Sequence, residues 1–269
     1  MARDLLRAET HFEFGKNWSD YSSRIDEAEI EQAKKGILAL IPAEALQGAS
    51  FLDIGSGSGL HSLAAHQLGA GEITAIDIDS DSVDTTRRVL ARFGAVARVE
   101  RMSIFDSDTL GTYDIVYSWG VLHHTGDLWQ AVRKAAEHVK PGGLFAVALY
   151  RKTPMCGAWT VEKRIYTASP KLIRWLLSGI YGVAKLIAMP LAGKNPVTYV
   201  RDYHKLRGMS YWHDVHDWVG GYPYQSSTPK ETEAFFAELG FKPVKRCDRR
   251  PAFGLFGTYC AEYVFRRGA

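Results

Sequence analysis

The sequence predicts an α/β fold organised around a doubly wound sheet whose last strand runs antiparallel. Three observations carry this. Between residues 50 and 150, short apolar runs alternate with amphipathic segments, as strands and crossover helices do. Each amphipathic segment is followed by a residue that stops helices, at Gly69, Gly94 and Pro141-Gly142-Gly143. Two later apolar runs lie near enough in sequence to form an antiparallel pair.

In order, the predicted strands are Ser50–Ile54, Glu72–Asp77, 97–102, 114–118, 144–150, Phe241–Cys247 and 258–265, with helices over about 59–68, 81–93 and 128–139. Residues 11–45 are rich in aromatic and acidic residues and mostly helical in pattern, which makes residues 1–49 an N-terminal helical cap. Residues 151–227 break the strand–helix rhythm and form a large insertion before the penultimate strand. Thr228-Pro229-Lys230-Glu231 then offers a capping box with proline at the first helical position, and Gly240 closes that helix. The expectation is a single domain, 1–269: cap, core over 50–150, insertion over 151–227, and a closing helix and strand pair over 228–269.

Hydrophobic residues make up 46% and charged residues 23%, which fits a folded globular chain rather than a disordered one. Lys and Arg number 33 against 30 Asp and Glu, a net +3 too close to balance to argue for a nucleic-acid partner. Three widely spaced cysteines with no CxxC exclude a disulfide scaffold and a cysteine-rich zinc site, and fit a reducing compartment. The first residues hold no apolar core of signal-peptide length, so the expected location is cytoplasmic.

The stretch 172–193 is apolar enough to need a membrane check. Arg174, Ser178, Tyr181 and Lys185 fall within about 60° of one another at 100° per residue, a narrow polar stripe. A span would leave two charges in lipid at roughly 2.5–3.5 kcal/mol each. The expectation is therefore an amphipathic helix packed on the domain with no integral span. A peripheral membrane or lipid contact is the other reading.

The first strand runs into Asp53-Ile54-Gly55-Ser56-Gly57-Ser58-Gly59. Three alternate glycines remove side chains, so that backbone can approach a ligand closely, and the following helix start favours an anionic group. Asp77 ends the second strand twenty residues after Gly57, where an acid in a doubly wound fold can accept hydrogen bonds from ribose hydroxyls. A nicotinamide-binding loop would want GxGxxG, and Leu60 occupies the third glycine position reckoned from Gly55.

DIGSGSG, the acid of AIDID, the SIFD segment, YDIVYSWGVLHHT and the KPGGLFAVALY strand, in this order, resemble the class I S-adenosylmethionine-dependent methyltransferases, most closely the ubiquinone-type small-molecule enzymes. FGKNWSDY is similar to their N-terminal cap. The resemblance covers residues 50–150. It implies a seven-stranded Rossmann-like methyltransferase sheet and S-adenosyl-L-methionine as cofactor. It further implies that Asp53, Gly55, Gly57 and Gly59 meet the methionine part, that Asp77 holds the ribose, and that Ile78 flanks the adenine. Ser103 (where many relatives have Asp) and Ile104 would meet the adenine edge, and Ser118 and Trp119 would lie beside the sulfonium and methyl. Tyr21, with Trp18 at helical spacing, would close over the cofactor as a lid, the alternative being a simple core stripe.

Methyl transfer is an in-line displacement, for which a protein aligns the partners and excludes water. A hydroxyl acceptor additionally needs a base. His123 and His124 follow the fourth strand and are the first candidates, or else they pack the turn. In the insertion, His213 and His216 are candidates for a lid acting on the nucleophile; a metal is not expected there, since no third distant ligand is evident. His61 and His66 read as helix surface. Arg151, Lys152, Arg201 and Lys205 either attract an acidic substrate or are solvated charge. The insertion's many aromatics favour a flat or apolar acceptor. The expected activity is O-methylation of a small molecule by a monomer or homodimer. Small-molecule S- or N-methylation and a non-catalytic cofactor-binding protein are the alternatives.

Overall fold

The computed structural model describes Trp18, Ser22 and residues 25–203, 210–248 and 259–269. Helix α1 (Glu27–Leu40) opens on Asp26, whose carboxylate accepts from the helix start while the Glu29 side chain accepts from the Asp26 N–H. This reciprocal box satisfies donors that the first turn leaves open. The core then alternates as β1 (Ser50–Ile54), α2 (Leu60–Gln67), β2 (Glu72–Asp77), α3 (Ser80–Arg92), β3 (Arg98–Arg101), β4 (Tyr113–Trp119), α4 (Leu128–Glu137) and β5 (Val139–Tyr150). The insertion consists of α5 (Cys156–Ala168), α6 (Lys171–Ala188), α7 (Pro196–Arg201) and α8 (Tyr211–Gly220), and the chain closes with α9 (Pro229–Glu238), β6 (Phe241–Cys247) and β7 (Cys260–Arg267).

The seven strands order β3-β2-β1-β4-β5-β7-β6, with β7 antiparallel to both neighbours and the other described pairings parallel. Strand side chains alternate between two cores, as a period of two requires. Leu52, Ile54, Val116, Phe145 and Val147 pack under α4 and α9, whereas Phe51, Ile115, Tyr117 and Ala146 pack under α1 and α2. The order reverses between β1 and β4, and the strand ends there open the crevice in which doubly wound folds take ligands.

Two boundaries differ from the sequence reading. Pro141-Gly142-Gly143 does not separate a helix from a strand: β5 starts at Val139 and runs through the triplet, with a bulge against β4 between Tyr113 and Ile115. The last strand is shifted two residues later than expected, to Cys260–Arg267. The Thr228 box, with Pro229 at the start and Glu231 reaching back, forms as its spacing predicts.

The insertion builds its own aromatic core from Tyr166, Tyr203, Tyr211, Val215 and Val219. Helix α6 packs on that core, but through its polar stripe. Tyr166 Oη and Ser178 Oγ lie 2.8 Å apart, Arg174 Nε donates to the Ser169 carbonyl at 2.7 Å, and Lys185 Nζ lies 5.4 Å from the Tyr211 ring centroid. Gly182 makes the close approach possible, because a Cβ there would come within 2.4 Å of the Trp212 ring. Burial of apolar surface would ordinarily turn such a helix the other way.

Phe236 on α9 is fully buried, stacked on Phe265 at 3.9 Å and edge-on to Phe145 at 5.2 Å. Phe236→Ala removes the contact that fastens α9 to the sheet, and should lower unfolding stability by about 3–5 kcal/mol in denaturant titration.

Candidate active site

The turn from β1 to α2 is tight. Gly55, Gly57 and Gly59 all adopt positive φ, at 77°, 54° and 77°. At Gly59 the chain passes so close to α3 that a Cβ would meet Thr86 Cα at 2.9 Å. At Gly57 a Cβ would meet the Trp18 indole at 3.1 Å, so Trp18 lies directly against the loop. Tyr21, its expected companion, lies outside the described residues.

Asp77, half-buried at the end of β2, fastens this turn from the adjacent strand. Its Oδ2 accepts from the Gly57 N–H at 3.0 Å and its Oδ1 from the Asp79 N–H at 3.0 Å. A carboxylate has about four lone-pair directions. The two backbone bonds therefore leave each oxygen able to accept one more donor, which is what a ribose diol requires. Asp53, one strand over and buried, accepts from Ser62 Oγ at 2.6 Å. Burial pushes Asp53 up to about 6, and the neighbouring Asp77 carboxylate adds to that rise. Burial also pushes Asp77 up to about 6, against the Asp79 and Gly57 N–H bonds that favour its charged form.

Other expected cofactor residues divide. Ile78 follows Asp77 and is half-buried, its carbonyl accepting from Arg101 Nε at 3.2 Å. Ser103 spends its hydroxyl capping the following 3-10 turn, accepting from the Phe105 N–H at 3.2 Å. The Ile104 side chain is buried in the core under α4, which leaves its backbone to meet an adenine edge. Ser118 is buried and donates to the Ile54 carbonyl at 3.1 Å, which ties β4 to the start of the glycine turn. Trp119 is exposed, and its indole donates to Glu262 at 2.8 Å. His61 departs from its surface assignment. It is half-buried with its ring 5.2 Å from Tyr117 and 6.2 Å from Trp119, and burial lowers its pKa to about 4.

The segment after β4 packs on the glycine turn through Val121, whose side chain fills the space beside Gly55. His123 and His124 follow in a short 3-10 turn. His123 is fully buried and its Nδ1 accepts from the Tyr150 N–H at 3.3 Å, so the proton of a neutral ring sits on Nε2. Burial holds its pKa well below the ordinary value. His124 is half-buried, and its Nδ1 lies 2.7 Å from the Pro223 carbonyl oxygen. A carbonyl only accepts, so Nδ1 carries the proton and Nε2 holds the lone pair.

Around these rings the insertion supplies an aromatic cluster that sequence reasoning did not assemble. Tyr150 contacts His123 at 3.9 Å, Trp218 at 5.6 Å and Tyr224 at 5.2 Å, and Trp159 packs edge-on to Trp218 at 6.1 Å. Lys163, fully buried, donates to the Trp218 carbonyl and lies 3.7 Å from the Trp218 ring centroid. Burial pulls its amine well down and pushes the neighbouring Glu162 carboxyl up. His123 Nε2, Trp159 Nε1, Trp218 Nε1 and Glu162 Oε2 are all buried without a hydrogen-bond partner among the described residues. The signal was present in the α5 sequence: Cys156, Trp159, Lys163 and Tyr166 share one helix face.

His216 Nδ1 pairs with Tyr166 Oη inside the insertion, and the His213 side chain lies outside what the structure describes. Arg151 pairs with Asp248, Lys152 with Glu231 and Arg201 with Asp202, which uses three of the four cations considered for an acidic substrate.

A family model described as Methyltransferase domain matches residues 52–145, the segment that carries the glycine turn, Asp77 and the histidine pair. Residues 52–145 thus carry a methyltransferase domain. The domain is similar to ubiquinone biosynthesis O-methyltransferase of Xanthomonas campestris pv. campestris, 32% identical over 126 residues, 46% of this chain and 52% of that protein. The chain thus spans about half the length of the curated relatives it matches. Its fold is similar to the magnesium protoporphyrin IX methyltransferase of Synechocystis PCC 6803 with bound S-adenosylhomocysteine (TM-score 0.54, 13% identity, covering 90% of this chain and 84% of that one). It is also similar to 1,6-didemethyltoxoflavin-N1-methyltransferase of Burkholderia thailandensis (TM-score 0.52, 15% identity, 91% and 80%).

The methyltransferase domain's cofactor is S-adenosyl-L-methionine, and the residues present fit it. The two lone-pair sites left on Asp77 would suit the ribose hydroxyls, and the missing side chains at Gly55, Gly57 and Gly59 would let backbone approach the methionine part. Because protonation removes an acceptor from Asp77, affinity for S-adenosylhomocysteine should fall as pH drops through about 6, by up to about tenfold between pH 7 and 5. Asp77→Asn should weaken binding at pH 7 by about 1–3 kcal/mol and flatten that slope, as read by calorimetry.

Proposed function

We propose that this chain methylates a hydroxyl on a small aromatic or apolar acceptor, with His124 as the base. The observation that carries the reading is the 2.7 Å approach of His124 Nδ1 to the Pro223 carbonyl. It sets the tautomer and orients the ring, which leaves Nε2 as a proton acceptor on the segment that packs against the glycine turn. His123, by contrast, is wholly buried and already accepts from the Tyr150 N–H, which suits a positioning role beneath its neighbour.

S-adenosylmethionine, when bound, supplies a methyl group on a cationic sulfur that is already activated for in-line displacement. The chain's own contribution is alignment, exclusion of water and removal of one proton. Gly57 and Asp77 fix the turn, Val121 closes its far side, and His124 Nε2 takes the acceptor's hydroxyl proton. The cluster of Tyr150, Trp159, Trp218 and Tyr224 offers flat apolar walls, and the unpartnered N–H groups of His123, Trp159 and Trp218 suit an acceptor with ring oxygens. The name of the similar Xanthomonas protein, ubiquinone biosynthesis O-methyltransferase, agrees with an oxygen acceptor.

The test is a panel of phenols, amines and thiols assayed with labelled cofactor, together with the two histidine variants. His124→Ala should lower kcat about 10²–10⁴-fold with S-adenosylhomocysteine affinity unchanged. His123→Ala should chiefly cost stability, about 1–3 kcal/mol from the orphaned Tyr150 N–H, seen as a lower Tm. Equal and negligible effects on turnover would remove His124 as base, and transfer confined to amines or thiols would replace the acceptor class.

A further inference from the structure

Helix α6 is amphipathic in the reverse sense. Its polar stripe is spent inside the insertion, and its apolar stripe faces outward. Leu172, Leu176, Ile180, Val183 and Ile187 fall within about 80° of one another at 100° per residue, and all five are exposed, Leu172 at 68%, Ile180 at 67% and Ile187 at 73%. Trp175, at 71% exposure, sits at the border of that stripe. Val161 and Ile165 on α5, one turn apart, are exposed as well. Soluble surfaces seldom present a contiguous apolar face of this extent unless something covers it.

The charge around the face selects its occupant. Residues 163–201 contain seven Lys and Arg and no Asp or Glu; Lys163 is buried, Arg174 and Lys185 turn inward and Arg201 pairs with Asp202, which leaves Arg164, Lys171 and Lys194 for the rim. Arg164 and Lys171 lie exposed near the start of α6, and Lys194 lies exposed beyond its end. A two-fold contact between copies of this face would bring like-charged rims together, an arrangement that opposes self-association. A layer of anionic headgroups complements the same rim, and tryptophan at the border of an apolar stripe suits the headgroup boundary. By length and composition Lys171–Leu191 could cross a bilayer. Its inner side, however, holds Arg174, Ser178 and Lys185 engaged with the Ser169 carbonyl, Tyr166 and Tyr211. A helix clasped along one side in this way lies on a membrane rather than through it.

We propose that the outer face of α6, with its basic rim, is a membrane-docking surface that seats in the headgroup boundary of an anionic phospholipid bilayer. The proposal rests on this surface alone and is independent of which acceptor is methylated.

The test is co-sedimentation of the full chain with vesicles of phosphatidylcholine alone or mixed equally with phosphatidylglycerol, in low and high salt. The wild type should partition at least about tenfold better to the anionic vesicles, and that preference should shrink in high salt. Ile180→Glu with Ile187→Glu should abolish binding to both. Lys171→Glu with Lys194→Glu should abolish only the preference for phosphatidylglycerol. Unchanged Tm and S-adenosylhomocysteine affinity establish that the variants are folded. Three results would overturn the proposal: wild-type partitioning no better than that of the Ile180/Ile187 variant, equal affinity for both vesicle types, or a dimer in sedimentation velocity that the Ile180/Ile187 variant dissociates.

Discussion

The structure depends on how the β1–α2 turn is held. A chain that reverses within five residues, with three positive-φ glycines, loses much conformational entropy on folding and has few side-chain contacts of its own. It is held from outside. Asp77 on β2 accepts the Gly57 N–H, Thr86 Oγ1 on α3 donates to the Gly57 carbonyl at 3.2 Å, and Ser118 on β4 reaches the carbonyl of Ile54 just before the turn. Each neighbouring strand or helix therefore contributes at least one polar contact, and the crevice exists because the sheet order places β2 and β4 on either side of β1.

The same arrangement explains the electrostatics. Two carboxyl groups on adjacent strand ends, Asp53 buried and Asp77 half-buried, are both pushed up to about 6 by burial. A crevice holding such a pair is prepared for a ligand that brings hydroxyl and amine donors and a positive charge, as S-adenosylmethionine does. On the far side of Val121 the character changes to aromatic, with buried N–H groups that have no partner. The boundary between the two regions falls at the His123-His124 turn. The insertion thus has two faces: α5 and α8 bring Trp159 onto Trp218 and Trp218 onto Tyr150, the ring that contacts His123, while α6 turns its apolar stripe outward.

Much of the fold was legible because local signals and tertiary demands agree. Strands Ser50–Ile54, Glu72–Asp77 and Phe241–Cys247 form over the residues the sequence indicated, and the Thr228–Glu231 box starts α9 where its spacing placed it. The glycine turn and Asp77 were legible for the same reason: a backbone requirement leaves a residue-type signature. Packing leaves a weaker one. Whether Ile104 points at a ligand or into the core depends on α4, which lies more than twenty residues away, and His61 is half-buried only because Tyr117 and Trp119 sit opposite it. The spacing of Arg174, Ser178, Tyr181 and Lys185 revealed a stripe but not its direction, because the groups that receive it, the Ser169 carbonyl and the Tyr166 and Tyr211 side chains, lie in the preceding link and in α5 and α8. Lys163 was missed because its burial arises from Trp218, which folds onto α5 from 55 residues further along.

The central claim is that the glycine turn and Asp77 together hold the adenosyl donor, with its sulfur directed toward the segment that begins at Val121. A crystal structure of the chain with S-adenosylhomocysteine tests it most directly. The account predicts ribose hydroxyls on the two Asp77 oxygens and the sulfur on the Val121–His124 side of the crevice. Ribose bound away from Asp77, or a ligand lodged in the insertion with the glycine turn empty, would contradict it.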